Sequence, residues 1–193
     1  MNINNNIGSW FFKMRGGLWT LIYVIILFMT RHTDPEIILK ALIMVLAGQL
    51  WRCWAAGTIM LYRGENVKAE NLTTTGPYSL MRNPLYFGNF LIGLGWGIIA
   101  GLHAVIIFAV SFYVLYNLAI IPHEEKFLRS KFGLEYEYYC GRVKRFFPVK
   151  LNFDDLRGVG KKFDAKILVK SEIHTVISTL IGTVLIIAFS IRN

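Results

Sequence analysis

Gly76-Pro77-Tyr78-Ser79-Leu80-Met81-Arg82-Asn83-Pro84-Leu85-Tyr86 and Pro122-His123-Glu124-Glu125 are polar segments, and the stretch between them, Phe87 to Ile121, contains no Asp, Glu, Lys or Arg. An α-helix crosses the hydrocarbon of a bilayer in about 20 residues, so this stretch is long enough to cross and return. Gly101, with His103 just after it, offers the break, and the segment reads as a helical hairpin with almost no loop on the far side. Both polar motifs therefore fall on one face of a membrane. Charged groups at a lipid boundary are costly unless paired or bound, so an arginine and two glutamates gathered there point to a site for a charged or zwitterionic small molecule.

Outward from the hairpin the pattern continues. A 193-residue chain that is 54% hydrophobic and 17% charged has more apolar surface than one small water-soluble core can bury. It reads as an all-α, polytopic membrane protein with about five transmembrane helices, at about 9–30, 36–61, 85–101, 103–121 and 172–190. The glycines of the hairpin, Gly88, Gly93, Gly95, Gly97 and Gly101, favour close helix packing over a substrate groove.

A net charge of +9 from 21 basic and 12 acidic residues would suit nucleic acid, but the basic residues sit in short loops beside apolar spans. They follow the positive-inside rule instead. Seventeen of them fall on the side of the two motifs, among them Lys13, Arg15, Arg63, Lys68 and Arg82, against Arg31 and Arg192 on the other. This distribution predicts an integral protein of a cell's inner membrane, with the N-terminus and both motif loops cytoplasmic and the C-terminus outside. No cleavage signal follows the first apolar run, so an uncleaved first span is expected. Cys53 and Cys140 form neither a CxxC nor a Cys/His cluster, so neither a disulfide framework nor a metal site is expected.

Three regions follow: an anchor over 1–44, a core with the hairpin over 45–148, and an interfacial segment with a C-terminal span over 149–193. After the hairpin, Pro122 suits the first turn of a helix that Gly133 ends, and a short second helix carries Tyr136, Tyr139 and Cys140 to about Gly141. Arg142, Lys144 and Arg145 beside Phe146 and Phe147 suit the headgroups of an anionic leaflet. Residues 150–170 alternate charged and apolar positions, as an interfacial helix does.

The candidate site residues each admit two readings. The Arg82 fork could hold a carboxylate or snorkel to a lipid phosphate, and Tyr86 could offer its hydroxyl or ring face to a sulfonium or belong to the aromatic belt. Glu124 and Glu125 point about 100° apart on a helix, so one can face a ligand while the other faces a neighbouring helix; acids in a first turn also stabilise a helix through its dipole. His123 is a proton acceptor or a structural residue. Arg52, about ten residues from the cytoplasmic end of the second span, is too deep to snorkel easily and needs a partner or a polar cavity; an acceptor's anionic group could fill that role.

Gly76, Tyr78, Arg82, Asn83, Pro84, Tyr86, Glu124, Glu125, Phe132, Gly133, Tyr136, Tyr139, Phe147 and Pro148 together resemble the integral-membrane methyltransferase superfamily of isoprenylcysteine carboxyl methyltransferases and phospholipid N-methyltransferases. Its pattern is Gly-x-Tyr, Arg-His-Pro-x-Tyr, a hairpin, a Glu-Glu pair, Phe-Gly-x-x-Tyr-x-x-Tyr and Phe-Pro. The Leu50 to Gly57 segment is similar to an Arg-x-Trp-Ala run of bacterial members, and the resemblance covers about 45–148. Asn83 stands where the family has His, which removes any titrating role there but keeps hydrogen bonding. The resemblance implies S-adenosyl-L-methionine in a cytoplasmic pocket built by the 63–86 and 122–148 segments. Tyr78, Arg82, Asn83, Pro84, Tyr86, His123, Glu124 and Glu125 would bind it, and Arg52, Arg82 and Glu125 would carry the reaction. The acceptor would be a lipid or other hydrophobic molecule entering from the bilayer. Two other readings are an NADPH-dependent membrane reductase, since sterol reductases share a similar region, and a non-enzymatic lipid-binding membrane protein.

Overall fold

A computed structural model describes residues 3–59, 71–146 and 165–192. Helix α1 runs over Ile3–Met29, α2 over Pro35–Thr58, α3 over Pro77–Leu80, α4 over Pro84–Ala100 and α5 over Leu102–Phe112. A π-helical segment, Tyr113–Ile120, follows, then α6 (Ile121–Phe132), α7 (Leu134–Arg142) and α8 (Ala165–Arg192). The described residues contain no strand. Phe147, Pro148 and most of the segment expected to form an interfacial helix lie outside the described residues, as do Arg63 and Lys68.

Among the described residues four helices are long and apolar enough to cross a membrane: Gly8–Met29, Pro35–Thr58, Leu102–Phe132 and Glu172–Arg192. The protein is thus an all-α polytopic membrane protein. The fifth expected span, α4, has 17 residues. At 1.5 Å per residue it is about 26 Å long, a few ångströms short of a typical hydrocarbon core. The exposed faces suit lipid. Along α2, Leu39, Ile43, Leu46 and Leu50 form an outward stripe, each about 60% exposed, which water would penalise and acyl chains would not.

The hairpin turns at Gly101, whose φ of +107° is open to glycine and strained for other residues. Its second arm differs from expectation. The sequence suggests that a span ends at 121 and a new helix starts at Pro122, yet α5, the π segment and α6 form one unbroken rod. Proline lacks an N–H and its ring crowds the carbonyl four residues back, and a π turn, which bonds five residues apart, accommodates both without ending the helix.

Helix α4 lies between α2 and α5, and small residues set how closely it can approach each. A Cβ on Gly88 would come within 2.3 Å of Arg52 Cγ and 2.9 Å of the Gly48 carbonyl, so α2 and α4 cross nearly backbone to backbone. Gly93 faces the other neighbour, where its Cβ would fall 2.1 Å from the Phe108 ring. Helix α8 packs on α2 and α4, and α1 lies against α5 and the π segment. At the end away from the motifs, side-chain bonds tie these layers together: Tyr23 Oη donates to the Gly182 carbonyl at 2.6 Å, Trp96 Nε1 to Thr183 Oγ1 at 3.0 Å, and Thr33 Oγ1 to the Ile99 carbonyl at 2.9 Å.

Candidate functional site

The turn into α4 and the chain after α7 meet in a short ladder. The Arg82 backbone N–H donates to the Lys144 carbonyl at 2.8 Å and that of Asn83 to the Arg145 carbonyl at 3.2 Å. Asn83 Nδ2 donates to the same Arg145 carbonyl at 3.3 Å. The asparagine in place of the family histidine thus binds backbone. Pro84, buried in the first turn of α4, ends the ladder because it has no N–H to add.

That ladder brings two guanidinium groups to one carboxylate. Arg82 Nη2 lies 2.9 Å from Glu125 Oε1 and Arg145 Nη2 lies 2.7 Å from Glu125 Oε2, with Arg145 Nε 3.2 Å from Oε1. Arg82 also donates through Nη1 to the carbonyls of Val143 at 2.9 Å and Cys140 at 3.3 Å, closing the end of α7. Burial on its own would lower the Arg82 pKa, but the hydrogen bond and charge of Glu125 outweigh it and hold it above the ordinary value. Arg145 anchors through Nη1 to Asn117 Oδ1 of the π segment at 3.0 Å. Its side chain is 33% exposed, against 14% for Arg82, so Arg145 presents the more accessible fork. Its place in a basic and aromatic run suggests lipid headgroups, whereas the structure sets it on Glu125 and Asn117.

Tyr78 and Tyr86 each bond a residue next to this cluster. The buried Tyr139 hydroxyl donates to the Tyr78 carbonyl at 2.7 Å, and burial pushes that phenol's pKa up, so it stays a donor at neutral pH. Tyr86 Oη donates to Glu124 Oε1 at 2.6 Å. The adjacent acids therefore diverge, Glu125 to the two arginines and Glu124 to the tyrosine. His123 turns elsewhere: its ring packs on Phe12 at 5.9 Å and against Gly8 of α1.

Arg52 lies deeper, in a separate cluster. Its Nη2 is 3.1 Å from Glu172 Oε2 and its Nε 3.2 Å from the same oxygen, while Nη1 donates to Asn89 Oδ1 and, at 3.3 Å, to the Leu85 carbonyl. Arg52 and Glu172 are 5% and 1% exposed, and a buried charge of either sign requires such a counterpart. Asn89 Nδ2 donates to Tyr116 Oη at 2.8 Å, and the Tyr116 ring lies 4.4 Å from that of Tyr86. The two clusters thus communicate through Asn89, Tyr116 and Tyr86. Glu172, a lone acid at the start of an apolar run, carries no spacing signal that would have paired it with Arg52.

Comparison with known proteins gives the chemistry a context. The phospholipid methyltransferase family profile matches residues 37–135. A nickel-cobalt-cadmium resistance protein of Alcaligenes xylosoxydans xylosoxydans is 33% identical over 151 residues, covering 72% of this chain and 67% of that protein. A cobalt-zinc-cadmium resistance protein of Cupriavidus metallidurans is 32% identical over 146 residues, 70% of this chain and 64% of its own length. A Delta(14)-sterol reductase of Gallus gallus is 31% identical over 78 residues, which is 38% of this chain and 12% of the reductase. No solved structure matches. Among the described residues no group of three or more His, Cys, Asp or Glu is placed to hold a metal ion.

Proposed function

Because this chain belongs to the phospholipid methyltransferase family, we propose that it transfers a methyl group from S-adenosylmethionine to a lipid-borne or hydrophobic acceptor, at the cytoplasmic face of a cell's inner membrane. The observation that supports this most is the pair of guanidinium groups, Arg82 and Arg145, on the single carboxylate of Glu125, beside a second carboxylate, Glu124, held by Tyr86.

That donor set fits the zwitterionic amino-acid end of the cofactor. Two cations on one anion leave a net positive charge, and Arg145 keeps N–H donors beyond those given to Glu125 and Asn117, so it would hold the carboxylate. Glu124 would accept from the ammonium, with Tyr86 fixing its rotamer. When bound, S-adenosylmethionine supplies a methyl group already activated by its sulfonium. The protein's part is then alignment and exclusion of water, which the hairpin and the packed Tyr86–Tyr116 pair provide. A carboxylate acceptor needs no general base, whereas an amine must lose its proton first.

A nicotinamide-dependent reductase is the second reading, supported by the match to sterol reductases. Titrating the purified protein in nanodiscs with S-adenosylhomocysteine and, separately, with NADPH tells the two apart. Stabilisation by S-adenosylhomocysteine alone is expected. Stabilisation by NADPH alone would favour the reductase, and a response to neither would favour a lipid-binding protein without turnover.

A further inference from the structure

Between α1, α4, α5, the π segment and α8 lies a cavity of about 210 Å³, walled by Trp19, Tyr23, Trp96, Phe108 and Phe112 and carrying no acidic or basic side chain. None of Arg82, Glu124, Glu125 or Arg145 lines it, so it is distinct from the cluster at the membrane face. Two of its walls, α1 and α8, come from outside the residues matched by the family profile.

Its two ends differ chemically. At the end toward the motif face are Asn89 and Tyr116. The Tyr116 hydroxyl accepts from Asn89, which leaves its own proton to donate. The Trp19 ring stacks on Tyr116 at 5.4 Å, and its indole N–H is buried without a hydrogen-bond partner among the described residues. A buried donor with no acceptor is costly, so an acceptor supplied by a ligand would recover that loss. The other end is apolar. Trp96, seven residues along α4 and thus about 10 Å beyond Asn89, is fixed by its bond to Thr183 and by Gly182, where a Cβ would come within 2.9 Å of the ring.

We propose that this cavity takes a single apolar chain of medium length joined to its headgroup through an oxygen-bearing linkage, such as an ester. The linkage oxygen accepts from Trp19 and Tyr116, and the chain runs down to a floor made by Trp96 and Tyr23. The headgroup then emerges beside Tyr86. That this chain belongs to the methyl acceptor rests on the methyltransferase reading; that the cavity binds a chain does not. The Arg52–Glu172 pair holds α8 against α2 one turn before Thr175, which with Thr179 supplies the α8 wall.

The test uses native mass spectrometry of the full-length protein, without cofactor, with acyl lysophosphatidylethanolamines of increasing chain length. Wild type is expected to show an optimum at medium chains. Trp96→Ala should move that optimum to longer chains, Trp19→Phe should weaken binding about tenfold, one lost hydrogen bond, and Thr179→Phe should block it. Affinity that is independent of length in wild type and in Trp96→Ala, or that is unchanged by Thr179→Phe, would overturn the assignment. Chain-selective binding in a protein that fails to bind S-adenosylhomocysteine would confirm the cavity and count against the methyltransferase reading alone.

Discussion

Arg145 and Glu125 form a two-point contact, Nη2 to Oε2 at 2.7 Å and Nε to Oε1 at 3.2 Å, across 20 residues that include a helix end, a glycine turn and a second helix. Arg82 reaches the same carboxylate from the opposite motif. The site is thus assembled from three segments, and Arg145 is the member with a face open to a ligand.

Arg145→Ala should weaken S-adenosylhomocysteine binding by at least about tenfold, in keeping with loss of a charge-assisted contact. Because Arg145 is one-third exposed, its loss should cost little stability, and Arg145→Lys should restore only part of the affinity, since an ammonium lacks the fork. Titration calorimetry beside a thermal melt separates the two effects. Unchanged affinity in Arg145→Ala would place the cofactor elsewhere.

Tyr86→Phe removes the hydrogen bond that Tyr86 donates to Glu124 while keeping the ring against Tyr116. A hydrogen bond to a charged group contributes about 1.5 to 3 kcal/mol. The variant should therefore lose roughly tenfold or more in cofactor affinity with its fold intact, as read by titration calorimetry and by elution as a single species. Equal affinity in the two proteins would show that Glu124 needs no positioning.

Glu172→Gln leaves the Arg52 guanidinium buried without its anion. Breaking a buried pair in this way costs about 3 to 5 kcal/mol, which should show as a large fall in melting temperature in nanodiscs. Arg52→Lys keeps the charge and loses the fork; it separates a structural role from a role with the acceptor. If Arg52 acts only through Glu172, stability falls and the acceptor KM of the surviving enzyme is unchanged. A raised KM with unchanged stability would mean that Arg52 meets the acceptor.

Gly88→Ala should be strongly destabilising, because its Cβ would overlap Arg52 Cγ at 2.3 Å and approach the Gly48 carbonyl at 2.9 Å. Overpacking of this kind costs about 1 to 3 kcal/mol. Gly141→Ala is the control, since nothing lies within 4 Å of its Cβ position. A comparable melting-temperature loss in both would contradict the backbone-to-backbone crossing of α2 and α4.

The hairpin was legible because its signals are strong and local: charged motifs at both ends, no charge between them, and one glycine break that the structure places at φ +107°. The π segment was not, since Pro122 is also a good first-turn residue, and only the packing of the whole rod decides between starting a helix and widening one. The bounds of α4 were legible as well, since Pro84 and Gly101 mark the two ends of a 17-residue helix that the expected span at 85–101 matches to within a residue. Around the site, Arg82 and the acidic pair stand out as isolated charges beside apolar sequence. Arg145 does not, for it sits in a basic and aromatic run where each cation resembles its neighbours. Glu172 needed a counter-charge argument: a buried arginine in α2 requires an anion, and few acids lie next to an apolar span.

The central claim, methyl transfer at the Glu125 cluster, is tested most directly by incubating the protein in nanodiscs with methyl-labelled S-adenosylmethionine and a host membrane lipid extract, and counting label in the extracted lipid. Label should appear in a lipid fraction with wild-type protein and fall by an order of magnitude or more with Arg145→Ala. Folded wild-type protein that binds neither S-adenosylmethionine nor S-adenosylhomocysteine and transfers no label to any lipid would contradict it.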